Sequence, residues 1–219
     1  ESFGSAKSEV TFGRYTKSDG NVDFVEMTSV TQGYVNPTPA YVPDVVISEI
    51  MYNAQDIQDQ LGEYIELHNR TGSTVYLYDT SNPSNTWKFT KGIDFTFPTG
   101  VSIGAGQKIL ISRTHPDAFK AANGLTGVTV YGPFASGTEL ENDGEKIELS
   151  MPTDPDPGTG FISYIRVEQV NYSDGIHPLG NDPWPTSADG MGDSLHRKTL
   201  SDYANDVANW EAATPTPGS

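Results

Sequence analysis

A chain of 219 residues, 35% hydrophobic and 11% aromatic, is long enough to bury a sizeable core. The absence of cysteine removes disulfides, thiolate nucleophiles, iron–sulfur clusters and cysteine-bound zinc together. Against 13 Lys plus Arg stand 29 Asp plus Glu, a formal charge of −16, so a phosphate backbone is repelled and no nucleic-acid partner is expected. No apolar run approaches the ~20 residues of a membrane-spanning helix, so no membrane insertion is expected either.

Taken in chain order, Phe12 to Thr16 and Val22 to Met27 read as two strands of a hairpin around the turn Ser18-Asp19-Gly20-Asn21. Asn36-Pro37-Thr38-Pro39 has the composition of a semi-rigid linker. Val45 to Tyr52 is apolar enough for a central strand, and a polar loop from Asn53 to Gly62 follows. In Tyr64-Ile65-Glu66-Leu67-His68 apolar and polar positions alternate, which predicts a half-buried strand. Further strands are expected at Val75 to Tyr78, Trp87 to Phe89, Phe95 to Phe97 and Lys108 to Ser112. Pro116 to Asn123 is the one expected helix, two turns ended by Gly124. Strands resume at Val128 to Tyr131, at Lys146 to Leu149 beyond the turn Asn142-Asp143-Gly144, and at Ser163 to Tyr172. From Asp174 onward the chain is rich in Pro and Gly yet carries Trp184 and Trp210, two apolar groups expected to pack against the body.

Short alternating strands about ten residues apart, closed by tight turns, predict an all-β fold, an immunoglobulin-like antiparallel β-sandwich with a long irregular C-terminal segment; a closed barrel is the alternative. The two ends of the chain also resemble one another. Arg14, Ser18-Asp19, Phe24 and Thr31-Gln32-Gly33 recur in the same order as Arg197, Ser201-Asp202, Trp210 and Thr216-Pro217-Gly218. Residues 1–36 are therefore expected to be the closing segment of a preceding similar repeat, or else an accessory hairpin, with 37–44 a linker and 45–219 the complete domain. The start at Glu1, without Met or an apolar signal segment, fits a piece of a longer polypeptide.

Few residues suggest chemistry. There is no Gly-x-Ser-x-Gly elbow, no phosphate-cradling Gly-rich loop, and no zinc spacing among His68, His115, His177 and His196. A pair of carboxylates for glycoside hydrolysis depends on the fold rather than the sequence, and with 29 acids it stays open. Calcium is the ion to which clustered Asp in irregular loops are suited. The candidate ligands are Asp182, Asp189 and Asp193 around Trp184, with Asp56, Asp59 and Glu63, and Asp154 and Asp156, as further acidic loops. Such Asp residues also serve simply to satisfy turn amides. Tyr76, Tyr78 and Trp87, with Tyr131, are candidate ligand-binding residues for a sugar platform, or else core and cross-strand packing. Asn69-Arg70-Thr71 and Asn171-Tyr172-Ser173 have the form of glycan acceptors.

Four separated segments, Val45 to Asn53, Gly62 to Asn69, Asp143 to Leu149 and Ser194 to Arg197, together resemble the bacterial branch of the lamin tail domain family, over roughly Val45 to Ser219. The resemblance implies an immunoglobulin-like sandwich and an accessory module of a large secreted or surface protein. His196 stands where an acidic residue is usual, and Glu139 to Asp143 is more acidic than a plain turn needs. The expected function is a non-catalytic spacer, adhesion or docking module, extracellular or at the cell surface. Its expected partners are other domains of the same polypeptide and protein or polysaccharide at the cell surface. No cofactor is required, calcium excepted if the loops hold it. The alternatives are a carbohydrate-binding module accompanying a secreted hydrolase and a glycan-active enzyme.

Overall fold

The computed structural model describes residues 6, 10–30, 33–34, 40–55, 59–176, 180 and 182–219. The expected linker at 36–39 and the residues Asp56 and His177 lie outside the described residues. In chain order the elements are β1 (Thr11–Thr16), β2 (Val22–Met27), β3 (Val45–Met51), α1 (Asp59–Gly62), β4 (Tyr64–Asn69), β5 (Val75–Tyr76), β6 (Lys88–Lys91) and β7 (Ser102–Ile103). They continue with β8 (Lys108–Ser112), α2 (Pro116–Ala122), β9 (Val130–Tyr131), β10 (Lys146–Pro152), β11 (Tyr164–Asn171), β12 (Ser194–Arg197) and β13 (Trp210–Ala213).

Two sheets form the sandwich. The larger runs β13-β12-β3-β4-β8-β9, antiparallel except for the parallel pair β8/β9, and the smaller runs β11-β10-β6. Between them Val45, Ile47, Ile65, Leu67, Ile111 and Leu195 of the larger sheet meet Phe89, Ile147, Leu149 and Val170 of the smaller. Each such buried side chain contributes on the order of 1.5–3 kcal/mol. Tyr52 and Tyr172 close one end of this core with ring centroids 4.7 Å apart.

The continuous apolar run at β3 has a specific cause. A register shift between Ile47 and Glu49 is a β-bulge, which resets the inward–outward alternation by one residue. Val45 and Ile47 before it, and Ile50 and Tyr52 after it, all reach the central core. Met51, by contrast, joins a second cluster with Tyr64, Leu110, Phe119 and Val130 on the outer face of the larger sheet. That face is covered by α2, which Pro116 opens, the His115 ring caps, and Asn123 ties to the carbonyl of Leu61 at 3.0 Å.

This cover corrects the expectation for β4. Every β4 side chain is buried except the half-buried His68, because Tyr64 packs edge-on to Phe119 at 5.6 Å and the C-terminal residues 214–219 lie over Glu66. Trp184 and Trp210 pack as expected, their rings 6.2 Å apart and Trp210 in the core. The C-terminal segment is irregular over much of its length and also supplies β12 and β13. β12 pairs with β3 through Leu195↔Ile50 and His196↔Glu49.

The β1–β2 hairpin forms its own two-stranded sheet. It meets the body at the loop between β12 and β13. The Ser18 amide donates to Asp206 at 3.1 Å, the Tyr203 hydroxyl to Asp23 at 3.0 Å and the Asn205 amide to Asp23 at 2.7 Å. Val25, Met27 and Ala40 make a small separate cluster beside Tyr15 and Tyr203.

Candidate functional site

Tyr76 ends β5 and Tyr78 follows two positions on in extended chain bridged to Thr86, so both rings leave the same face while Leu77 between them is fully buried. They line a groove of about 770 Å³ together with Trp87, Met151, Pro152 and Asp154. The rings meet edge to face, centroids 5.5 Å apart and planes at 61°, so they do not make a flat stacking surface. Trp87 is only 8% exposed and belongs to the core, and Tyr131 packs against Phe97 at 6.2 Å. Of the four aromatics singled out from the sequence, the groove brings together Tyr76 and Tyr78, with the edge of Trp87.

Two of the three calcium candidates already accept hydrogen bonds from the protein. Asp182 accepts from the Ser173 hydroxyl and from the Trp184 amide at 3.0 Å, and Asp189 accepts from the Asn53 side-chain amide at 2.5 Å. Asp193 is half-buried at the entry to β12. Burial raises the Tyr52 hydroxyl's pKa, and the charges of Asp189, Asp174 and Asp182 raise it further. Among the described residues no three His, Cys, Asp or Glu side chains converge as a metal set. Asp156 caps its own turn, accepting from the Thr159 hydroxyl and from the amides of Thr159 and Gly158, which hold its carboxyl below the ordinary range. Of the sequons, Asn171 is exposed, whereas Asn69 is fully buried and donates to the carbonyls of Ser73, Ile103 and Gly104 at 2.7, 2.8 and 2.9 Å.

A group that sequence reasoning missed lies on the outer face of the larger sheet. Glu49 and Glu66 sit directly opposite each other on β3 and β4, each 1% exposed. Like charges at such a cross-strand position destabilise a sheet unless they are compensated. Glu49 accepts from the hydroxyls of Tyr64 and Ser194, the latter at 2.6 Å, and from the Thr216 amide at 3.0 Å. Glu66 accepts from the Ser48 hydroxyl at 2.7 Å and the Gly218 amide at 2.8 Å, with the Lys108 ammonium 3.0 Å away. The residues 214–219 are thus a strap pinned over two buried carboxylates. A sequence signal did exist in part: Glu49 falls inside the otherwise largely apolar run of β3.

Ser194, His196 and Glu49 also stand together, with the Ser194 hydroxyl 2.9 Å from His196 Nε2 and that nitrogen 3.3 Å from Glu49. A nucleophilic triad places serine and carboxylate on opposite ring nitrogens. Here both lie at Nε2, and Ser194 is fully buried. The group ties β12 to β3.

Two further buried acids are treated alike. Glu63, fully buried, pairs with Arg113 and accepts from the Leu140 amide at 3.0 Å; Arg113 also pairs with Glu139, one of the unexpectedly acidic residues before the turn. Glu168 pairs with Arg197 at 2.8 Å and accepts from the Ile47 amide at 2.5 Å. Burial raises its pKa, against the opposing charge of Arg197.

Among the described residues no helix is long and apolar enough to cross a membrane. A family model described as Lamin Tail Domain matches residues 38–159, more than half of the chain. No curated protein and no solved structure matches.

Proposed function

The chain belongs to the lamin tail domain family, generally a family of non-enzymatic modules, and from that premise we propose that it serves as a spacer, adhesion or docking module of a larger extracellular or cell-surface protein of bacterial type. The observation that carries this reading is how the buried acids are used. Glu49, Glu63, Glu66 and Glu168 each spend their oxygens on backbone amides, hydroxyls or cations that join one strand to another. A general acid or base must have a proton position open to a substrate. Carboxylates saturated in this way brace a fold instead, as a spacer or docking unit requires. The surplus of acids over Lys and Arg, 29 against 13, keeps such a module soluble and unattractive to phosphate backbones.

One observation favours a second reading. The half-exposed Tyr76 beside Tyr78 opens onto a groove that the exposed Asp154 also lines, a composition that suits an oligosaccharide. The test is an array of plant, algal and bacterial polysaccharides probed with the 219-residue chain. The spacer reading expects no glycan above background. Retention of one polysaccharide that disappears in both Tyr76→Ala and Tyr78→Ala would replace it with a carbohydrate-binding module.

A further inference from the structure

The N-terminal hairpin repeats the closing hairpin of the body strand for strand. Thr11-Phe12-Gly13-Arg14 matches Ser194-Leu195-His196-Arg197 as hydroxyl, apolar, variable, arginine. The pairing agrees as well: Thr11↔Met27, Phe12↔Glu26, Gly13↔Val25 and Arg14↔Phe24 correspond to Ser194↔Ala213, Leu195↔Ala212, His196↔Glu211 and Arg197↔Trp210. The loops between differ in length, so shared register is not imposed by a shared turn. Beyond the second strand, Gly33 and Gly218 both take a left-handed φ, +81° and +79°.

What differs is the burial. In the body's hairpin, Leu195 and Trp210 face the core at 0% and 3% exposure, and Arg197 reaches Glu168 beneath them. Their counterparts Phe12 and Phe24 are half-buried, stacked on each other at 6.3 Å beside a cleft of about 500 Å³ that they share with Tyr164, Arg166 and Glu168 of β11, and Arg14 is exposed. The hairpin is held to this body by its opposite face, through Val25 and Met27. Gly218 sits where an added Cβ would lie 2.5 Å from Val128, while no described residue comes within 4 Å of the same point on Gly33. Val30 and Tyr34 around it stand 70% and 84% exposed.

We propose that β1–β2 is the closing hairpin of a preceding unit of the same fold in the same polypeptide. In that unit the edge of β1 away from β2 pairs with the counterpart of β3, the Phe12–Phe24 face fills its core, and the chain beyond β2 that carries Val30, Gly33 and Tyr34 supplies its strap. The contacts of Ser18 and Asp23 with Tyr203, Asn205 and Asp206 are then the joint between consecutive units, closing loop against closing loop. An accessory hairpin would have no reason to keep the register and the arginine of β12–β13 while leaving the equivalent face half-buried beside a cleft instead of within the central core. The proposal deepens the module reading and rests on it.

The test is amide hydrogen exchange on the 219-residue chain and on the full-length polypeptide. In the former, β1–β2 amides are expected to exchange at least ~100-fold faster than those of β12–β13, as sub-global opening allows. In the latter the gap closes, and Phe24→Ala lowers the melting of the preceding unit while leaving the transition of the 45–219 body in place. Equal protection of both hairpins in the 219-residue chain, or a dimer in which two copies join their β1 edges, overturns the proposal. A full-length polypeptide whose other domains leave β1–β2 unprotected sinks the pairing alone. One that has no other domain sinks the module reading with it.

Discussion

Arg197→Met removes the cation from an ion pair whose side chains are 0% and 4% exposed. The guanidinium holds three structures together, because it also donates to the carbonyls of Ile47 at 3.2 Å and Asp202 at 2.6 Å. Glu168 lies on β11 in the smaller sheet, Ile47 on β3 in the larger, and Asp202 in the loop before β13. Removing one partner of a buried pair leaves the other charge without compensation and costs about 3–5 kcal/mol. At roughly 2–4 °C per kcal/mol for a chain of this size, the melting midpoint falls by about 6–20 °C. The pH dependence identifies the cause. Burial already raises the Glu168 pKa, with Arg197 opposing it, and without the guanidinium the rise is larger. A carboxyl whose folded-state pKa is raised contributes stability at low pH that is lost as pH rises through that pKa. The deficit of Arg197→Met is therefore smallest near pH ~4.5 and largest near pH ~8, where an unperturbed Glu is fully ionised. Urea denaturation at both pH values measures this, with the m-value unchanged if the folded state keeps its extent. The double variant Arg197→Met/Glu168→Leu should regain more than half of the loss, since an apolar pair tolerates the site better than a lone carboxylate. A deficit under ~1 kcal/mol, the same deficit at both pH values, or strictly additive single losses would refute the reasoning.

Three other outcomes are expected. Ending the chain after Ala213 takes the Thr216 and Gly218 amides from Glu49 and Glu66; at ~1–3 kcal/mol for each buried group left short of a partner, denaturation should report a loss of about 2–6 kcal/mol, and an unchanged midpoint would mean that the strap is decorative. Burial, with the Lys108 ammonium beside it, holds His68 below the ordinary histidine range; its contribution is present above the unfolded value of ~6.5 and lost as pH falls through the lower folded value, so His68→Gln should flatten the decline in stability between pH ~7 and ~5, and parallel curves would show another group responsible. Because Asp182 and Asp189 are already satisfied by protein donors, excess calcium and chelator should give the same melting midpoint; a rise approaching the ~2.7 kcal/mol of a site held at a hundredfold its dissociation constant would place the ion in the fold.

The class of fold, most strand positions and the family were readable along the chain, because alternation of side chains, turn residues and the motifs around Val45, Gly62, Asp143 and Ser194 are local properties. The helix at Pro116–Ala122 and the hairpin at Thr11–Met27 were legible for the same reason. Tertiary structure alone decided what lies on each face of a strand. Glu66 reads as the solvent side of β4, yet it is buried because a strap more than a hundred residues downstream covers it. Val45 to Tyr52 reads as one continuous central strand, yet a bulge between Ile47 and Glu49 divides it, so that Val45, Ile47, Ile50 and Tyr52 all reach the core while Met51 joins the outer cluster. Tyr76, Tyr78 and Trp87 read alike as aromatics on short strands, and only the packing sends Trp87 into the core while leaving the two tyrosines at a groove. Burial is a sum over contacts made by distant segments, and a local pattern carries no term for a neighbour that arrives from the other end of the chain.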